Sequence, residues 1–122
     1  MLYNILQFHN NDLTISTYNI TLASPVVSPN SEANYIVKYG KMCYLRLSFS
    51  IPTAPAAWTN VVISTGIPKK YVPHSQIKVM IYDGSTMSTG SVVFETTGDI
   101  IYASFSNRAV NWGFLNISYI TR

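Results

Sequence analysis

The chain has 122 residues, a formal net charge of +3 and only 11 % charged residues, while Ser, Thr, Asn and Gln fill 37 positions. That length bounds it at one domain with one core, and 48 % apolar with 13 % aromatic residues excludes a disordered chain. Eight Lys and Arg supply the positive charge, with no cluster beyond the pair Lys69–Lys70, so the basic stripe needed to neutralise several phosphates is missing and no nucleic-acid partner is expected.

No apolar run approaches the ~18 residues that span a bilayer, so no membrane insertion is expected. Asn4, Gln7 and His9 interrupt the first ten residues, which carry no basic stretch, and this predicts no signal peptide. Cys43 is the single cysteine, which rules out a disulfide-stapled scaffold. Val, Ile and Thr total 34 residues and the aromatics 16, against 14 for Leu and Ala together. β-Branched and aromatic side chains suit a pleated, half-buried surface, so the composition predicts an all-β fold.

In chain order, Leu2, Ile5, Leu6 and His9 fall at helical spacing, but nine residues are too few for a stable lone helix; they suggest a short neck or a frayed end. Asp12 to Thr17 alternates through Leu13 and Ile15. The apolar phase then shifts to Ile20 and Leu22, which predicts a bulge or break near Tyr18–Asn19. Residues 23–34, with Pro25 and Pro29, read as a surface loop. Tyr35 to Lys38 reads as a strand that turns through Tyr39-Gly40-Lys41 into the clearest strand of all, Met42 to Ile51. There Cys43, Leu45, Leu47, Phe49 and Ile51 alternate with Tyr44, Arg46, Ser48 and Ser50, one face for a core and one for water or a partner. Pro52 ends it. Short strands follow at Asn60–Ser64, Ile77–Tyr82, Ser91–Glu95, Ile100–Phe105 and Trp112–Ile120, with Gly66 to Gln76 as an extended crossover. About eight short strands with turn signals every 8–12 residues predict an antiparallel β-sandwich, jelly-roll-like in character. The organisation is an N-terminal segment 1–34 and a head 35–122, folding together as a single domain 1–122.

Chemistry-bearing constellations are scarce. His9 and His74 belong to no metal-ligand spacing, and Cys43 has no CxxC partner. Cys43 sits on the apolar face of its strand, the place of a buried core thiol. No GxSxG elbow picks out a serine, and the acids Asp83 and Asp99 stand beside turn glycines, where Asp serves backbone geometry. The expectation is therefore a protein that is not an enzyme and needs no cofactor or metal. The aromatics carry the remaining signal. Buried, Trp58 and Trp112 would cap the ends of the sandwich. Exposed, either would stack on the flat C–H face of a sugar while polar neighbours bind hydroxyls. Trp112 has that company in Asn107, Arg108 and Asn111; Asp83, beside Ser85 and Thr86, and His74, after Pro73, are further saccharide candidates. The outward faces, with Tyr44 and Arg46 on one strand and Lys78, Met80 and Tyr82 on another, match interface composition. So few charges predict that the chain is not a monomer.

Tyr44 to Ile51 (YLRLSFSI), the loop Ala57-Trp58-Thr59, the segment Gly66 to Pro73 (GIPKKYVP), the hairpin Val92 to Ile100 (VVFETTGDI) and the aromatic-rich strand Leu115 to Thr121 together resemble the C-terminal head domain of phage tail-fibre and receptor-binding proteins. The resemblance covers residues 35–122. It implies a homotrimeric knob at the tip of a virion appendage, on the phage tail tip or baseplate, assembled in the bacterial host cytoplasm. Such a head binds a bacterial surface glycan for host adsorption and contacts other virion tail or baseplate proteins. The alternative expectation is a purely structural baseplate or fibre connector without a ligand site. Heads of this group usually follow a shoulder or shaft, and here 34 residues precede the head.

Overall fold

A computed structural model describes residues 14–82 and 88–121. Eight strands are formed among them: β1 (Ile15–Asn19), β2 (Tyr35–Tyr39), β3 (Met42–Ile51), β4 (Asn60–Ser64), β5 (Ile77–Tyr82), β6 (Ser88–Phe94), β7 (Ile100–Ser104) and β8 (Val110–Ile120). They make two antiparallel four-stranded sheets, in the orders β1-β2-β3-β8 and β4-β7-β6-β5. The expected all-β sandwich is the observed architecture.

β3 explains why the sheets pack. Its alternating Cys43, Leu45, Leu47, Phe49 and Ile51 are all buried and face the core. Opposite them, the second sheet contributes Ile63, Ile81, Val92, Phe94, Ile100 and Tyr102, each buried as well. Two aromatic contacts cross between the sheets: Phe49 with Tyr102 at 6.1 Å between centroids, and Phe94 edge-on to Tyr119 at 5.5 Å. Gly113 makes room for the first. A Cβ built there would lie 2.5 Å from Phe49 Cζ.

Three local expectations change. β1 pairs with β2 without a break from Ile15 to Asn19, where the alternation predicts one. Tyr18 lies opposite the fully buried Ile36, and opposite residues in a ladder share a face. Tyr18 therefore turns inward, 5.5 Å from the Tyr71 ring, and Ile15 turns outward with 65 % of its surface exposed. β6 begins at Ser88, three residues before the position its side chains suggest. Gly90, a turn signal in sequence, is a strand residue whose missing side chain leaves space for the Tyr102 ring. The crossover 65–76 carries a 3-10 turn at Lys69–Tyr71 and buries Ile67, Tyr71 and Val72, so it closes one end of the core. The suggested neck at residues 1–9 lies outside the described residues.

The strand order sorts the connections between the two ends of the sandwich. Residues 20–34, 52–59 and 105–109 gather at one end, where Ile51 pairs with Val110 and Asn60 with Ala103. The β2–β3 turn, the crossover 65–76 and the turn 95–99 gather at the other, where Met42 pairs with Ile120 and Phe94 with Ile100.

Candidate functional site

β3 outlasts its neighbour β2 by several residues, and this is where the site is built. Beyond Arg46 no β2 residue pairs with it. The loop 20–34 completes the edge: the Ser48 backbone N–H donates to Asn34 Oδ1 at 2.5 Å, and Val27 and Ser50 exchange backbone bonds of 2.7 and 3.0 Å. On the other side β8 holds one residue too many, so its register to β3 shifts between Phe49 and Ile51. Ser50 anchors this bulge by donating from Oγ to the Asn111 carbonyl at 2.5 Å.

Beside the bulge, whose extra residue returns Val110 to the core, Trp112 continues the alternation of Gly113 and Phe114 onto the outer face of the first sheet. Its indole Nε1 donates to Ser48 Oγ at 2.8 Å, which accounts for Ser48 being buried on an outward-facing position, while 46 % of the Trp112 surface stays exposed. Phe114 follows two residues later on the same face, 49 % exposed. The Arg46 guanidinium lies 5.8 Å from the Phe114 ring centroid, within the range of a cation–π contact. Arg46 also donates to Glu32 Oε2 and to the Ala33 carbonyl, each at 2.7 Å, and so pins the loop to the sheet.

The sequence-derived candidates are partly brought together. Asn107, Arg108 and Asn111 are exposed; Asn111 directly precedes Trp112, and Asn107 and Arg108 lie in the loop 105–109 that leads into β8. Trp58 belongs to the same end but to the other sheet. Its backbone N–H donates to the Ser104 carbonyl at 3.0 Å and its ring lies tilted by 37° against Phe105, 5.8 Å between centroids. It is 79 % exposed and holds a left-handed φ of 62°, so neither tryptophan caps the core. His74 sits at the opposite end and is not part of this group; it borders an open groove of about 750 Å³ between the crossover and β8. Asp83 lies outside the described residues.

One feature of this face has no local sequence signal. Ile15, Tyr39, Met42 and Ile120 are aligned by register into a single row across all four strands. They are 65, 46, 47 and 58 % exposed. Each comes from a different strand, so only the pairing reveals them as neighbours.

The titratable groups are occupied elsewhere. The three described carboxylates each have a partner: Glu32 holds Arg46, Glu95 accepts twice from Gln76 Nε2 at 2.9 and 3.0 Å, and Asp99 accepts from Thr97 at 2.8 Å. Among the described residues no three His, Cys, Asp or Glu side chains converge on a common point. Burial pushes the Cys43 thiol upward, though the Tyr119 hydroxyl and Lys38 oppose it, and burial with the neighbouring Cys43 pushes the Tyr119 phenol upward too. Both belong to the core. Arrayed this way, the outer face of the first sheet is suited to holding a flat or apolar surface, with hydrogen-bonding side chains at one rim. No protein-family model matches the chain, and no curated protein is similar to it.

Proposed function

We propose that this chain is a non-enzymatic binding module, the head of a phage receptor-binding protein that assembles as a homotrimer and holds a bacterial cell-surface saccharide. The observation that carries this reading is Trp112: half-exposed, tethered through Nε1 to Ser48, and preceded within five residues by the exposed Asn107, Arg108 and Asn111. An immobilised indole covers the C–H face of a pyranose at little cost in side-chain order, and amide and guanidinium groups beside it supply donors and acceptors for hydroxyls. The sequence resemblance over residues 35–122 supports the phage assignment, with a place at the tail tip or baseplate among other virion proteins.

A single such site is weak, because sugar hydroxyls must be desolvated and few apolar atoms are buried. Three sites on one knob and many knobs on one particle raise the effective strength through multivalency. Trp112→Ala is expected to lower binding to host cells and their wall polysaccharide by about tenfold or more per site, the equivalent of ~1.4 kcal/mol, with the β-sheet circular dichroism retained. Unchanged binding would remove Trp112 from the site.

The exposed row of Ile15, Tyr39, Met42 and Ile120 favours a second reading, a structural connector of the baseplate or fibre. Labelled protein separates the two. A receptor-binding head adheres to its host and to purified wall polysaccharide, whereas a connector adheres to neither.

A further inference from the structure

We infer that the outer face of the β1-β2-β3-β8 sheet, centred on the row Ile15–Tyr39–Met42–Ile120, is the contact surface between copies of this chain. The inference deepens the reading above: it rests on the assembly proposed there and is independent of the sugar.

Area is the first argument. Besides the row, Tyr44 and Phe114 present 37 and 49 % of their surfaces on this face. With ~200 Å² for a fully exposed side chain of this size, these six exposures leave on the order of 600 Å² of apolar surface. A standard interface takes about 800 Å² from each partner, and contacts between identical chains are about 65 % apolar, which asks for roughly 520 Å². The face is large enough for a stable contact, and it sits at the upper end of what monomers leave uncovered.

Charge is the second argument, and it selects the occupant. Of the outward positions on the four strands only Arg46 is charged, and Glu32 neutralises it at 2.7 Å. A different protein or a polyanion chosen by complementarity would meet no charge pattern to read. A second copy brings the same neutral mixture of Tyr, Met, Phe, Ile and small polar residues. The composition is that of an interface core, rich in aromatics, Met and Arg and free of Lys, Asp and Glu.

Position is the third. From Met42 to Ser50 the strand advances eight residues, ~26 Å at 3.3 Å each, so the row lies well away from the Trp112 corner. At its β8 side the row runs into the open groove of about 750 Å³ lined by Met42, Ile120, Pro73 and Ile77. At its β1 side stands Ile15, the most exposed of the four at 65 %. Both edges of the row are therefore open to a second copy.

The test is sedimentation of the full chain at micromolar concentrations. The wild type is expected to run as a closed oligomer. Met42→Glu and Tyr39→Glu are each expected to run as monomers with unchanged β-sheet circular dichroism, while Thr53→Glu, exposed in the loop 52–59 at the opposite end of the sandwich, keeps the oligomer. A monomeric wild type, or charge variants that stay assembled, overturns the inference. A measurement on the wild type alone covers the case in which both variants fail to fold: tyrosine-directed labelling of Tyr39 and Tyr44 is expected to slow several-fold as concentration rises. Labelling that does not respond to concentration overturns it: fast labelling means that the face stays open in solution, and slow labelling means that a part of the same chain covers it. Host-polysaccharide binding is read separately. A monomeric wild type that binds glycan defeats the interface and leaves the binding reading standing; an oligomeric wild type that binds none does the reverse.

Discussion

Val110 can face the core two residues from the outward Trp112 because β8 carries one surplus residue. Without the shift between Phe49 and Ile51, the strand would carry its alternation straight through to Val110; with it, the buried Val110 and the outward Trp112 both find their faces. A bulge re-aims side chains in this way while the ladder continues on either side of it. The pair Cys43–Tyr119 shows the opposite use of a polar residue. The Tyr119 hydroxyl donates to the Tyr71 carbonyl at 2.7 Å, and both groups hold their protons more tightly inside the fold than outside. An ordinary Cys ionises near ~8.5 and an ordinary Tyr near ~10. Above each of those values the unfolded chain releases a proton that the folded chain retains, so the folded state binds more protons and stability falls as pH rises. Urea midpoints are therefore expected to be level between neutrality and about pH 8, to drop above ~8.5, and to drop more steeply above ~10. Cys43→Ala is expected to remove the first part of that decline; a midpoint flat up to about pH 11 in the wild type would contradict it.

At the scale of elements, the loop 20–34 behaves as a detached edge strand. It supplies the Asn34 carboxamide oxygen to the Ser48 N–H and two backbone bonds to Ser50, where β2 has already ended. Asn34→Ala leaves that buried N–H without a partner, a loss of about 1–3 kcal/mol, and is expected to speed amide exchange at Ser48 and Ser50 ahead of the rest of β3. Exchange that stays uniform along the strand would mean the loop is not what holds this edge. β3 itself is legible in sequence because a long strand buried on one side repeats its signal five times over. β1 is not, because it is short and lies at the edge: Ile36 on its neighbour, not its own pattern, turns Tyr18 inward. Gly90 misleads for a related reason, since a glycine inside a strand shows no side chain by which to read its face. Among the candidate site residues, Asn107, Arg108, Asn111 and Trp112 are grouped by sequence alone because they are close along the chain. The row Ile15–Tyr39–Met42–Ile120 spans more than a hundred positions and needs the register of three ladders before it exists at all.

For the whole molecule the consequence is a link between folding and association. The two sheets cohere through one core, with Phe49–Tyr102 and Phe94–Tyr119 meeting across it, so the domain is expected to melt in a single cooperative step. The surface around that core has few charges to keep copies apart and one wide apolar face to bring them together. If copies of the chain bind one another through that face and only when folded, mass action stabilises the fold as concentration rises. A hundredfold increase, worth about 2.7 kcal/mol in the simplest case, then raises Tm by about 10 °C in a chain of this size. Met42→Glu is expected to remove the dependence, leaving a Tm close to that of the dilute wild type at every concentration. Equal melting temperatures for dilute and concentrated wild type would mean that the face closes on nothing in solution, and that the domain is stable with its row of Ile, Tyr and Met open to water.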